Sequence, residues 1–430
     1  MTSPIEGKPI SQLHHVIGGG TLSHVRNHLA LAAPARGTTA RFLHDELGRN
    51  GAFSQLHLTS MADPRSEIVT GGDVKDLVDR LVADPITKII FFNPAIVDFH
   101  GQIGAVPSGK YAERLLSREA KDAVLKLAPS DKIIGDIRRK RKDIFLVGFK
   151  TTCGATPDEQ YAQGLRLVKQ GHVNLVLAND TKTRLNMIIV PEEARYHETT
   201  NREEALRGLV KIALARANLT YTHSTVLKDM PRVGWQSNEV PANLRGVVDH
   251  LIEHDAYKPF LGKTAGHFAS RGMAPGEFLT SARGENFNEL GNNGLVRVFA
   301  QNADEVIAHA AKPSVGGQSQ RIIFSRFPGL DSIVHFHAPL KEGVSDIPIR
   351  DQWMFECGSH QCGKNTADGL AEIRPGIHAV MLDNHGPNIV FGNDADPADV
   401  IDLIESRWDL GRKTGGAIPP AYRLATPAFA

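Results

Sequence analysis

Three histidines are spaced so that one ion could take all of them. Residues Asp331–Pro339 read DSIVHFHAP, an apolar run of strand type in which side chains two apart share a face. His335 and His337 can therefore offer two imidazoles to one ion. Further on, HAVMLDNHGPNIVFG sets His385 just after a second apolar strand, at a turn containing Gly386 and Pro387. Three neutral imidazoles with one position left open describe a catalytic site of zinc type rather than a closed structural one. Alone, the HxH pair is a weak signal and reads more readily as two ordinary histidines. The later Asn-His-Gly element tips the balance toward metal.

Other chemistry-bearing groups are weaker. Gly18, Gly19 and Gly20 follow a strand and precede a helix, as in a phosphate-binding turn, where backbone N–H groups and the helix dipole favour anions. GGGT has neither the GxGxxG spacing nor a Walker lysine, so a plain tight turn is an equal reading. FECGSHQCG brings Cys357, His360 and Cys362 together without CxxC spacing, which argues against structural zinc. The run Arg138–Lys142 (RRKRK) reads as the solvated end of a helix before a buried strand. Cys153 is either a nucleophile beside a cleft or a small buried hydrophobe. His14 and His15 read as packing residues in a strand, and His223 has no evident role.

The first half of the chain must supply a parallel sheet. LHHVIGG (Leu13–Gly19), TKIIFFNPA (Thr87–Ala95), DIFLVGFK (Asp143–Lys150) and VNLVLAND (Val173–Asp180) are strand-like runs, with NMIIVPE starting at Asn186. Helical patterns such as TTARFLHDEL and DEQYAQGLRLVKQG alternate with them, which implies helices on both faces. From Asn218 to Pro241 the periodicity dissolves, and the junction is placed there. A helix then starts at NLRGVVDHLIEHD with Val247, Val248, Leu251 and Ile252 on one face.

The C-terminal half resembles the class II aldolase/adducin family over about Asn243–Gly411. VHFHAP followed by LDNHGPNIVFGNDADPADVIDLIESRWDLG carries that resemblance, joined upstream by KTAGHFASR (Lys263–Arg271) and FLTSARG (Phe278–Gly284). It implies that His335, His337 and His385 hold a divalent metal, zinc first and manganese or cobalt as alternatives. The metal would polarise a carbonyl or hydroxyl and stabilise an enediolate. Gly266, Thr280, Ser281, Gly284 and Ser314 would line the pocket for a substrate phosphate or carboxylate. Where the family carries an acid/base glutamate, this chain reads KPSVGGQSQRIIF. Gln318 could orient a substrate but not carry a proton. Glu356 is the expected replacement, with Asp351 as an alternative, unless an interface partner supplies the group.

The N-terminal half is similar to the phosphopantothenoylcysteine synthetase domain (the DNA/pantothenate metabolism flavoprotein family) over about His14–Ala217. FFNPAIVDF, LKLAPSDKII, FLVGFKTT and NLVLANDTK carry the likeness in order. It implies a cleft for CTP or another nucleotide along Gly18, Gly19, Gly20, Asp98, Lys110, Gly148, Phe149, Asn179 and Asp180, where open α/β sheets bind ligands. The family's catalytic asparagine and lysine are replaced in LAAPARGTTA, where Ala33 or Pro34 and Thr38 stand. A retained binding cleft with altered chemistry is therefore expected. The fold class is α/β: a Rossmann-like parallel-sheet domain over 1–217, a linker over 218–241 and a class II aldolase-like α/β/α domain over 242–430.

Bulk properties agree. The chain has 430 residues, 41% hydrophobic and 23% charged, a formal net charge of +1 and three cysteines. That excludes a global field for nucleic acid or anionic membrane and a disulfide framework. No apolar run approaches the roughly 18 residues that span a bilayer, and the N-terminus lacks a signal-peptide pattern, so a cytoplasmic protein is expected. The reading is a two-domain, metal-dependent lyase of aldolase, epimerase or decarboxylase type. Its substrate is a small anionic hydroxy-carbonyl compound, and the protein is a homo-oligomer of which a tetramer is one form. The rivals are a CTP- or ATP-dependent acid–amine ligase with a vestigial second domain, and a non-catalytic adducin-like binding protein.

Overall fold

A computed structural model describes residues 12–118, 122–171, 173–302, 304–314 and 317–424. Contacts divide the chain into two compact units. One comprises 1–151, 166–188 and 199–217, and the other 152–165, 189–198 and 218–430.

In the first unit the apolar runs form strands buried on both faces, as a covered parallel sheet demands. Strand Leu13–Arg26 lies between Ser54–Leu58 and Thr87–Ala95, parallel to both, and Thr87–Ala95 is parallel to Phe145–Thr152. Val16, Ile17, Ile89, Ile90, Phe91, Leu146 and Val147 are all within 0% exposure. Helix Gly71–Ala83 starts at a capping box, with Thr70 accepting from the Asp73 amide and Asp73 from the Thr70 amide, so two otherwise orphaned donors are satisfied. The strand read as ending at the glycines instead continues to Arg26. It turns back into Leu29–Ala33, and the helix begins only at Thr38. LKLAP forms strand Leu125–Pro129 of a hairpin with Phe99–Ile103. RRKRK spans the end of helix Ile133–Lys140.

The second unit is built on a ten-stranded sheet. Its central strands are His267–Arg271, Ser332–His335, Gly386–Phe391 and Ile377–Leu382, each antiparallel to the next. Neighbouring residues on these strands face opposite layers. Phe268, Val334 and Ile389 join one apolar cluster with Val247, Leu251, Leu403 and Ile404 of helices Ala242–Glu253 and Pro397–Arg407. Ala269, Ile333 and Val390 join another with Ile323 and Phe324 of helix Gly317–Arg326 and Ala367 of helix His360–Gly369. That period-2 division produces the α/β/α layering. The patternless stretch after Asn218 is not wholly irregular: His223–Leu227 pairs in parallel with Glu305–His309 as an edge strand.

Candidate functional site

His335 is the last residue of strand Ser332–His335, His337 lies two residues on, and His385 sits in the turn between Ile377–Leu382 and Gly386–Phe391. The turn is held tightly. Asn384 has φ 55° and Gly386 φ 154°, and a Cβ on Gly386 would lie 2.1 Å from the Phe336 carbonyl oxygen. Only glycine allows the two strand ends to approach this closely. The three histidines are buried, their ring centroids lie 4.6–5.1 Å apart, and one nitrogen from each falls within 4.8 Å of the others.

The tautomer of His335 follows from its neighbour. Its Nδ1 lies 2.6 Å from the Pro387 carbonyl oxygen, which can only accept, so Nδ1 carries the proton. In the neutral ring Nε2 is then a lone pair, and it faces His385 Nε2 at 3.2 Å. Two such nitrogens must share a proton or a cation. Zinc–imidazole bonds of about 2.05 Å at tetrahedral angles put donor nitrogens about 3.3 Å apart, which matches. Burial pushes the His335 pKa down to about 4, although the Pro387 carbonyl acts the other way. The imidazole is therefore neutral at pH 7, as a ligand must be. The residues present fit a divalent metal.

A fourth histidine was not singled out from sequence. His267 is opposite His335 in the sheet register, their rings are 4.8 Å apart, and His267 is 3% exposed. Burial, and then His335, hold its pKa well below the ordinary value. Gln320, fully buried, places its amide nitrogen 2.9 Å from His267 Nδ1. The sequence signal lies in AGH and QSQ, where Gln320 rather than Gln318 is the glutamine that meets His267. Gln318 lies on helix Gly317–Arg326 with its side chain outside the described residues, as are Val315 and Gly316.

The residues expected to line the substrate pocket lie on or next to strands His267–Arg271 and Glu277–Thr280. Gly266, at φ 112°, backs against the His335 carbonyl, which a Cβ would approach to 2.5 Å. Thr280 and Ser281 are buried against Phe268, and the Ser314 amide donates to the Ser281 carbonyl. Gly284, at φ 74°, has the Lys263 ammonium beside it, with Lys263 Nζ 3.7 Å from where its Cβ would be. Burial lowers the Arg283 pKa, opposed by Cys357 and Glu356, so Glu356 lies within electrostatic reach of the FLTSARG segment. The Cys357 thiol is pushed up by its hydrogen bond with Cys362 and then by burial. Arg271 of KTAGHFASR is structural. It pairs with Asp331 and donates to the carbonyls of Phe324, Phe327 and Leu330, closing the C-terminus of helix Gly317–Arg326.

Segment Lys413–Gly416 braces the triad from behind. Thr414 Oγ1 donates to the His385 carbonyl at 2.5 Å and its amide to the His337 carbonyl. Lys413 pairs with Glu193 at 3.0 Å, both 3% exposed, and Tyr161 donates to the Glu193 carbonyl.

In the first unit the expected nucleotide residues have several distinct environments. A Cβ on Gly18 would fall 2.3 Å from Ala40 Cβ, and one on Gly20 2.2 Å from the Ala33 oxygen. The Gly20 amide already donates to Ala35. The glycines thus permit close packing inside a strand, and the expectation of a turn at a helix start is corrected. The Asp180 carboxylate accepts from the Lys182 and Thr183 amides, closing the turn after its strand. Asp98 is exposed and paired with Lys132, and exposed Lys110 stands over the Tyr111 ring. Gly148 is packed among Ile134, Leu167 and Val173. Phe149 and Asn179 are half-buried, and Asn179 accepts from Thr151. Cys153 is exposed. No helix among the described residues is long and apolar enough to cross a membrane.

Residues 256–399 match the family described as "Class II Aldolase and Adducin N-terminal domain". No curated protein matches the chain in sequence. Among solved structures, the DNA/pantothenate metabolism flavoprotein from Streptococcus pneumoniae is 18% identical, covering 48% of this chain and 99% of that one with a TM-score of 0.39. The C-terminal domain of the coenzyme A biosynthesis bifunctional protein CoaBC is 14% identical, covering 47% and 94% at 0.35. L-fuculose 1-phosphate aldolase from Glaciozyma antarctica PI12 is 16% identical, covering 42% and 75% at 0.28.

Proposed function

We propose that the second unit is a divalent-metal-dependent lyase or epimerase acting on a small anionic hydroxy-carbonyl substrate. The reading rests on the convergence of His335, His337 and His385, in a segment that matches the class II aldolase and adducin family. A divalent ion held by these rings supplies Lewis-acid polarisation of a carbonyl or hydroxyl. The remaining work falls to the chain itself. The Pro387 carbonyl keeps the His335 lone pair on Nε2. Lys263 and Arg283, beside Gly284 and Ser281, offer positive charge to the anionic end of the substrate. Glu356, within electrostatic reach of Arg283, is the carboxylate that moves the proton.

Two measurements test this. Metal analysis after dialysis against a weak chelator gives about one zinc, manganese or cobalt per chain, as a three-histidine site holds, and His335→Ala loses it. Retention of that ion in His335→Ala removes the proposal. Turnover screened on hydroxy-carbonyl phosphates and acids stops on chelation and returns with metal. Glu356→Gln then lowers kcat about 10²- to 10⁴-fold, as loss of a general acid–base does, with metal content unchanged. An unchanged kcat moves that role to another residue or to a subunit interface.

For the first unit we infer a nucleotide-binding domain with altered chemistry. Phe149 and Asn179 stand toward the C-terminal ends of strands Phe145–Thr152 and Leu175–Asp180, where open α/β sheets bind ligands, which supports that reading. CTP or ATP is expected to raise the melting temperature, and Asn179→Ala to weaken the effect. If neither nucleotide shifts the transition, this part fails while the metal reading stands.

A further inference from the structure

A second cluster of ligand side chains lies on the surface of the second unit. Helix Ala242–Glu253 ends in DHLIEHD, so His250 and His254 are separated by one helical turn and share a face. Their rings stack at a centroid distance of 3.9 Å with an interplanar angle of 26°. Across from them Glu405, on helix Pro397–Arg407, sets Oε1 3.1 Å from His250 Nε2. One ligand atom from each of the three residues lies within 4.8 Å of the others.

The surroundings favour a cation. Both histidines occupy the last turn and cap of their helix, where unsatisfied carbonyls present the negative end of the dipole. His254 Nδ1 lies 2.9 Å from the His250 carbonyl oxygen and must donate to it. That bond fixes the tautomer and leaves Nε2 as a lone pair, the arrangement a metal-bound imidazole uses. His250 is held in place, with its side chain 18% exposed, while the Glu405 carboxylate beside it is 51% exposed. The nearby Lys341 directs its ammonium to the Glu405 backbone carbonyl, 2.6 Å away, rather than to the carboxylate.

We propose that His250, His254 and Glu405 form a second divalent-cation site, selective for ions that accept imidazole, of the zinc, nickel and copper class. Two imidazoles one helical turn apart are a known way of presenting a zinc site. The ion clamps helix Ala242–Glu253 to helix Pro397–Arg407, and water fills its remaining positions. Because two of its three ligands are exposed, it binds less tightly than three buried ones and fills after the His335 centre.

Zinc titrated into the metal-stripped full-length chain, followed by calorimetry and thermal melting, tests the assignment. The native chain is expected to show a second, weaker binding event with a rise in melting temperature. His254→Ala abolishes that event and keeps the tight one. Glu405→Gln weakens it about tenfold or more, in the range that loss of a supporting metal contact costs. His335→Ala loses only the tight event, so a chain in which His254→Ala removes the sole ion would sink the triad reading and leave this one standing. Equal zinc uptake by the native chain and His254→Ala overturns the proposal, and the cluster is then an ion pair with a stacked ring.

Discussion

His15 and His57 show how a buried histidine sets a pH limit on stability. His15 Nδ1 is 3.1 Å from His57 Nε2, its Nε2 is 3.1 Å from Thr87 Oγ1, and His15 is 1% exposed. Burial brings both pKa values down from 6.5 to about 4. Between those values the unfolded chain binds more protons than the folded one, so stability rises with pH. It is complete above 6.5 and is lost as pH falls toward 4. Denaturant unfolding at pH 7 and pH 5 should show the loss, and His57→Gln should flatten the dependence; a pH-independent midpoint would contradict it. At this scale the sequence was legible where type and spacing coincided. His335 and His337 announced themselves by strand alternation, and His14 and His15 as packing residues. His267 did not, because its significance comes from its opposite number across the sheet, which periodicity within one segment cannot reveal. The His250–His254 spacing was in plain view on a helix correctly read, but Glu405 closes the cluster from a distant segment.

Among the elements, the strand ends around the triad are set by glycine backbones. Gly266 combines φ 112° with a Cβ position 2.5 Å from the His335 oxygen. Gly266→Ala must push strand Ser332–His335 aside or strain its own backbone. Overpacking of this kind costs about 1–3 kcal/mol. The expected outcome is a lower denaturation midpoint together with weakened metal retention, and full retention with native stability would show that the site does not depend on this contact. Most elements could be read in advance because parallel strands buried on both faces are continuous apolar runs: Thr87–Ala95 was read to the residue. The strand through Gly18–Gly20 runs on to Arg26 although glycine usually punctuates. Here it lets Ala40 and Ala33 approach the sheet. His223–Leu227 is not legible in the sequence, because an exposed edge strand needs no apolar period.

On the scale of the whole molecule, two α/β bodies and their order along the chain were legible, since helical and strand patterns alternate on both sides of Asn218. What composition could not show is that residues 152–165 and 189–198 cluster with the later unit. Within that unit the brace behind the triad has two sides. Thr414 grips the backbones of His337 and His385, while Lys413 is locked to Glu193, Gly415 lies under the Glu193 carbonyl and the Ala417 amide donates to Asp158. Genetic dissection at the apparent boundary would therefore cut through a functional whole. A polypeptide of residues 218–430 would keep every proposed ligand and forfeit the anchorage of the loop behind them, so its grip on zinc should slacken relative to the intact chain.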